Sequence, residues 1–197
     1  MDTKNLVELI FIGRGGQGIV TAAQLAGAAA FKTGIKDVNI APFFGAERRG
    51  APVEAYLRLA NQKINIYSNI EQADIFILFD DSLLNNISQR RVKHNQTKLL
   101  INSADAEIYK KLEYYKEFSE IAIINATNIA KSINLYVGGA LIINTALIGA
   151  LAKFTDLYDS SAIEKTFIET FGQKNSQKNI EAAKISFNEL KIIKITE

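Results

Sequence analysis

The sequence predicts an α/β fold with a mixed, mostly parallel sheet, on three observations. The apolar run Leu6, Val7, Leu9, Ile10, Phe11 and Ile12 leads into Gly13-Arg14-Gly15-Gly16-Gln17-Gly18 and then an alanine-rich segment from Ile19 to Phe31. That order reads as strand, tight loop and helix. Short apolar runs recur at Ile75 to Phe79, Leu99 to Asn102 and Ile121 to Asn125, the continuous character of strands covered on both faces. Val53 to Leu59 instead alternates apolar and polar residues and, across Asn61-Gln62-Lys63, faces a short run from Ile64 to Tyr67, a hairpin that brings antiparallel pairing into the sheet.

Taken in order, Glu8 is the one charge in the first strand, and Ala22, Ala23, Ala26, Ala28, Ala29 and Ala30 give the first helix high propensity and a close-packing surface. Gly34 stops it. A second strand runs from Asp37 to Ala41 and is closed by Pro42, which cannot donate to a ladder. After the Ile75 strand, Asp81 or Ser82 caps a helix from about Leu83 to Arg91. A polar helix is expected from Ala104 to Tyr115, the last strand from Ile121, and a short amphipathic helix from Ala126 to Ile133. Gly138-Gly139 interrupts the pattern before a strongly apolar helix from Leu141 to Phe154, which belongs either at the centre of the core or against another subunit. Asn144 within it reads as a satisfied core amide. Two helices fill Ser160 to Ile195, with Ile180, Ala183, Phe187 and Leu190 at helical spacing.

Composition excludes several classes. With 23 basic and 21 acidic residues the net charge is +2, too balanced for nucleic acid or a membrane surface to be the main partner. No cysteine is present, so the chain offers no thiol nucleophile and no thiolates for an iron–sulfur cluster. A single histidine, His94 in a polar run, makes a zinc site or a serine–histidine pair improbable. No stretch reaches the roughly 20 apolar residues of a membrane span, and no signal-like segment opens the chain, which points to the cytoplasm. Without a Pro/Ser/Gly-rich linker, residues 1–197 read as one domain. No catalytic and no metal-binding residues are assigned; the chain reads as a binding part.

The binding candidates lie in two loops. Gly13, Gly15, Gly16 and Gly18 form a turn whose N–H groups, at a positive helix end, suit a phosphate. Taken alone, the turn also admits a lesser reading, as a strand-to-helix connection that binds nothing. Gly13, Gly15 and Gly18 fit G-x-G-x-x-G, but the acid that should hold a ribose about 20 residues on is missing: Asp37 falls at the start of the next strand. The second loop, Phe43 to Pro52, carries Arg48 and Arg49, planar forks suited to phosphate or carboxylate. Its place after strand two, beside the glycine turn, puts both at the carboxyl ends of strands, where open α/β sheets bind ligands. Asp80 and Asp81 read as capping and loop residues.

Gly13-Arg14-Gly15-Gly16-Gln17-Gly18 with Thr21-Ala22-Ala23, followed by Pro42 and Phe44-Gly45-Ala46-Glu47-Arg48-Arg49-Gly50-Ala51-Pro52-Val53, resembles the gamma subunit of 2-oxoacid:ferredoxin oxidoreductases, most like the pyruvate type. Gln72-Ala73-Asp74, Ile129-Ala130, Asn144 and Gly149 extend the likeness along nearly the whole chain. The resemblance implies a three-layer α/β/α fold and one subunit of an enzyme that decarboxylates a 2-oxoacid oxidatively to an acyl-coenzyme A and reduces ferredoxin or flavodoxin. It implies alpha, beta and ferredoxin-like delta partners that carry thiamine diphosphate and the iron–sulfur clusters. It also implies that this chain helps place coenzyme A; the reading of the two loops gives its phosphates to Gly13, Gly15, Gly16, Gly18, Arg48 and Arg49. Two other readings stand beside it: a docking subunit without ligand contact, and an NAD-binding oxidoreductase. The apolar Leu141 helix and the small-residue Ile19 helix suggest an interface, and thus a homo-oligomer when the chain is isolated.

Overall fold

The computed structural model describes residues 6–43 and 50–195. Its element order is β1 (Leu6–Arg14), α1 (Ile19–Lys32), β2 (Asp37–Phe43), β3 (Pro52–Ala60), β4 (Ile75–Leu78), β5 (Lys98–Asn102), β6 (Glu120–Ile124), α2 (Ala126–Ser132), β7 (Tyr136–Val137), β8 (Ala140–Leu141), α3 (Asn144–Thr155), α4 (Ser160–Phe171), α5 (Gln173–Glu189) and β9 (Lys191–Lys194). A seven-stranded sheet runs β2-β3-β1-β4-β5-β6-β9. Strands β1, β4, β5 and β6 are parallel, β3 lies antiparallel between β1 and β2, and β9 closes the far side antiparallel to β6.

Alternate residues of each central strand feed two apolar layers. Leu9, Phe11, Leu57, Ile77 and Leu100 meet the α-helices on one face. Ile10, Ile12, Tyr56, Phe76, Leu99 and Ile101 meet the other face, covered by short 3-10 turns and loops. This makes β3 a correction to the half-buried strand expected: Ala55 to Ala60 are all buried, because both faces are covered. The polar member of its alternation, Arg58, is 1% exposed and meets Glu8 of β1, its register partner, with Nε 2.9 Å from Oε1. Burial of a guanidinium requires such a partner. Asp74 takes the Glu8 N–H at 2.9 Å and the Lys93 ammonium at 3.0 Å, so four charged residues converge at this end of the sheet.

Other departures have local causes. Ile64 to Tyr67 form no strand; β3 finds its antiparallel partners in β1 and β2. Pro42 does not end β2 but pairs with Ala55, on an outermost strand where a missing donor is tolerated. The expected helices after β4 and β5 are short 3-10 turns, at Asp81–Asn86, Gln89–Arg91, Ile108–Lys111 and Tyr115–Glu117. Side chains there capture the backbone N–H groups an α-helix would need: Ser103 Oγ takes that of Asp105 at 3.1 Å, and Asp105 that of Glu107 at 2.9 Å. The cap of the first turn is Asp80, one residue before the expected Asp81 or Ser82; it accepts the Ser82 N–H at 3.1 Å. β6 is not the last strand, since Lys191–Lys194 add β9.

The apolar helix is core. Asn144 to Ala152 of α3 are all buried, and α5 lies so close that a Cβ on Gly149 would fall 2.1 Å from the Ala183 carbonyl oxygen. Ala22, Ala23, Ala26, Ala29 and Ala30 of α1 are likewise buried within the chain. Most of the small and apolar residues that suggested self-association are therefore packed within the chain, while Ala28 and Phe31 of α1 stay exposed.

Candidate functional site

The glycine turn stands at the carboxyl end of β1, and its glycines do different work. Gly13 is buried inside β1, where a Cβ would meet Ile19 at 2.3 Å and Phe79 at 2.9 Å, so it serves close packing of strand, helix and neighbour. Gly15 spends its N–H on Ala51 at 2.9 Å and accepts that of Gly50 at 3.1 Å. Gly16 and Gly18 have φ of 96° and 75°, left-handed values that favour glycine. A Cβ on Gly18 would also sit 2.7 Å from the Asn144 amide nitrogen. Asn144 is the satisfied amide expected, its Oδ1 taking the Thr145 N–H at 2.8 Å. Among the described residues, no acceptor takes the N–H of Gly16 or Gly18. Helix α1 begins without a side-chain cap or an acid in its first turn. Its positive end is thus open toward the turn.

Two side chains hold this turn. Gln17 Oε1 accepts the Arg14 N–H at 2.7 Å, and the Gln17 N–H returns to the Arg14 carbonyl at 3.0 Å. Arg14 reaches across to β4: Nε to Asp80 at 2.8 Å, Nη2 to Ser82 Oγ at 2.7 Å and Nη1 to the Gly50 carbonyl at 3.1 Å. Burial pushes the Asp80 carboxyl up, but hydrogen bonds from Ser82 and Arg14 outweigh it and hold the group below its ordinary value. Arg14 is committed to this brace rather than to a ligand. The brace also fixes Gly50, the residue just after the arginine loop. Arg48 and Arg49 themselves lie outside the described residues; the ends of their loop, Phe43 and Gly50, flank the carboxyl end of β1 through β3.

Beside the turn, the ends of β4, β5 and β6 enclose a crevice of about 350 Å³. Gln17, Asp81, Asn102, Ser103, Thr127 and Lys131 are among its walls. Asn102 is fixed by donating to the Phe79 carbonyl at 2.9 Å and to Thr127 Oγ1 at 3.0 Å, and Ser103 donates to Asp81 at 2.6 Å. The strand order reverses between β1 and β4, so the crevice opens beside a topological switch point, over β4, β5 and β6. The sequence concealed it, because its polar walls come from beyond four separate strand ends, those of β1, β4, β5 and β6. Asp80 and Asp81 were the visible signal: Asp80 caps the turn that follows, whereas Asp81 accepts from Ser103 in the crevice wall.

A wider cavity of about 720 Å³ lies over the other face. Two of its charges are paired: Arg91 Nη1 contacts both Glu54 oxygens, at 2.8 and 3.1 Å, and Tyr56 donates to Glu54 at 2.9 Å. Burial and the Glu54 charge push the Tyr56 phenol up to about 12. His94, a surface residue as expected, contacts Glu117 at 2.6 Å. Asp37 sits at the amino end of the second strand and accepts the Ile64 N–H at 2.7 Å, away from the carboxyl end where a ribose acid is needed.

An open mixed α/β sheet thus carries an uncapped glycine turn and a polar crevice at the carboxyl ends of its parallel strands. The chain belongs to the pyruvate ferredoxin/flavodoxin oxidoreductase family, whose model matches residues 8–189. It is 38% identical over 185 residues to the pyruvate/ketoisovalerate oxidoreductases common subunit gamma of Thermococcus kodakarensis, covering 93% of this chain and 96% of that one. The solved pyruvate oxidoreductase subunit PORC of Thermotoga maritima superposes with a TM-score of 0.75 at 27% identity, over 96% of this chain and 99% of that one. A 2-oxoglutarate:ferredoxin oxidoreductase from Magnetococcus marinus, solved with 2-oxoglutarate, coenzyme A and succinyl-CoA bound, shares the fold. It has a TM-score of 0.69 and 20% identity, over 94% of this chain and 31% of that one. No described helix is long and apolar enough to cross a membrane.

Proposed function

We propose that this chain is the gamma subunit of a complex that decarboxylates a 2-oxoacid, pyruvate first among them, oxidatively to an acyl-coenzyme A and passes the electrons to ferredoxin or flavodoxin. The carrying observation is its end-to-end match with a gamma subunit of pyruvate and ketoisovalerate oxidoreductases. Residues 1–197 act as one gamma-type domain among alpha, beta and ferredoxin-like delta chains in the cytoplasm. Thiamine diphosphate and the iron–sulfur clusters belong to those partners, in keeping with a chain that has no cysteine.

This chain's own part is to hold coenzyme A by its phosphates. The open N–H groups of Gly16 and Gly18 and the uncapped start of α1 form an anion cradle. Gly13 and Gly15 shape the cradle, the latter by tying it to Ala51. Arg48 and Arg49, on a loop anchored at Gly50, supply charge and planar forks. A distant phosphate handle orients the thiol for attack on the acyl group without itself entering the chemistry. Coenzyme A bound in the fold relative from M. marinus favours the same ligand. The NAD alternative loses support from Asp37, which is turned to Ile64 at the wrong end of β2.

The test is to purify the assembled complex by a tag on this chain and titrate coenzyme A against wild type and an Arg48→Ala, Arg49→Ala double variant. Normal assembly with coenzyme A affinity lowered by about tenfold or more is expected, each arginine–phosphate contact being worth roughly 1.5–3 kcal/mol. Unchanged affinity with failed assembly would instead make the two arginines a docking element.

A further inference from the structure

We infer that the crevice between the ends of β4, β5 and β6 receives the uncharged, amide- and hydroxyl-bearing pantetheine arm of coenzyme A, and that its nucleotide lies elsewhere. This rests on the coenzyme A reading above and names the part of the ligand that the crevice takes.

Position comes first. Gln17 belongs both to the glycine turn, where it clamps Arg14, and to the crevice wall. A ligand whose diphosphate sits at Gly16 and Gly18 therefore enters the crevice with whichever arm points across Gln17. The volume of about 350 Å³ is at the small end of ligand sites, too narrow for both arms together.

Charge then selects the arm. Two carboxylates face the crevice, Asp80 and Asp81. Asp80 is matched by Arg14 at 2.8 Å, whereas Asp81, among the described residues, is engaged by the neutral Ser103 hydroxyl at 2.6 Å and by no cation. One ammonium, Lys131, stands against them. A 3′-phosphate placed here would be set beside carboxylates with a single cation to offset them. The other polar walls, Gln17, Asn102, Asn125, Thr127 and Asn128 among them, are neutral donors and acceptors. Within coenzyme A the pantetheine arm carries two amides and one hydroxyl ahead of its thiol, groups for which such a lining offers neutral donors and acceptors.

Stacking gives the same answer. A purine is usually held between aromatic or apolar faces. The aromatic side chain in this lining, Phe79, is 1% exposed and packs tilted against Phe11 at 6.5 Å. It presents no free face to a base.

The experiment uses the assembled complex and three probes: coenzyme A, pantetheine and adenosine 3′,5′-bisphosphate. Ala104 is exposed and borders the crevice, so Ala104→Trp obstructs it without removing any of the hydrogen bonds above; Asn128→Leu removes one exposed amide at nearly constant volume. Wild type is expected to show saturation transfer to pantetheine protons, and Ala104→Trp to lose it. Coenzyme A affinity should fall about tenfold in Ala104→Trp and less in Asn128→Leu, as one or two hydrogen bonds are lost, while the bisphosphate binds both variants as it binds wild type. Equal weakening of coenzyme A and the bisphosphate, with no transfer to pantetheine, would put the nucleoside in the crevice; that overturns the inference and leaves the coenzyme A reading intact. Coenzyme A binding indifferent to Ala104→Trp would also overturn the inference alone. A wild type that binds neither coenzyme A nor pantetheine would overturn both.

Discussion

Replacing Glu8 by glutamine leaves the shape of β1 unchanged and removes the anion facing Arg58. Arg58 is 1% exposed, and its Nε lies 2.9 Å from Glu8 Oε1. Its Nη1 has the Ile66 carbonyl at 3.5 Å, a weak contact. The guanidinium cannot shed its proton, so the folded state must keep a buried cation without its partner. Breaking such a pair from one side costs roughly 3–5 kcal/mol. Asp74 is close, accepting the Glu8 N–H, but it is already engaged by Lys93 at 3.0 Å. A loss of about 3 kcal/mol, the lower end, is therefore expected. The assay is urea unfolding of the full chain followed by far-UV circular dichroism, read as a shift in midpoint at constant slope. The double variant Glu8→Leu, Arg58→Met removes both charges together and should recover most of the loss. If Glu8→Gln unfolds within about 0.5 kcal/mol of wild type, the range of an ordinary surface substitution, then Arg58 is solvated in solution and the argument from its burial fails.

Two further outcomes test the packing and the brace. Gly149→Ala inserts a methyl 2.1 Å from the Ala183 carbonyl oxygen and 2.5 Å from its Cα, so α3 and α5 must separate; a loss of about 1–3 kcal/mol is expected from thermal or urea unfolding, and a neutral result would mean that the helices are looser than described. Asp80, held below its ordinary value of 3.8 by Ser82 and Arg14 against the opposing effect of burial, contributes stability that is in place above that value and is lost as pH falls through its lower folded-state value. Asp80→Asn should therefore lower stability at pH 7 and flatten its decline below about pH 4, measured as unfolding free energy against pH; an acid limb as steep as that of wild type would refute the assignment.

The sequence by itself determined the elements whose cause is local. Leu6 to Ile12, Ile19 to Phe31 and the turn between them were legible because a continuous apolar run, left-handed glycines and an alanine-rich helix each follow from residue chemistry over a few positions. The motifs around Gly13 and Arg48 likewise identified the family, which the match over residues 8–189 bears out. Where side chains compete for the backbone, as Ser103 and Asp105 do, the expected Ala104 helix gave way to 3-10 turns. Tertiary structure alone decided the remainder. Pairing of β3 with both β1 and β2 turned an alternating strand into a buried one and matched Glu8 with Arg58, fifty residues apart. The crevice is likewise a product of strand order, since Gln17, Asp81, Ser103 and Thr127 share no local pattern and meet only because β1, β4, β5 and β6 run parallel. Chain-local forces fix which residues form a strand or a turn; which strand lies beside which is fixed only when two faces of one sheet are buried together.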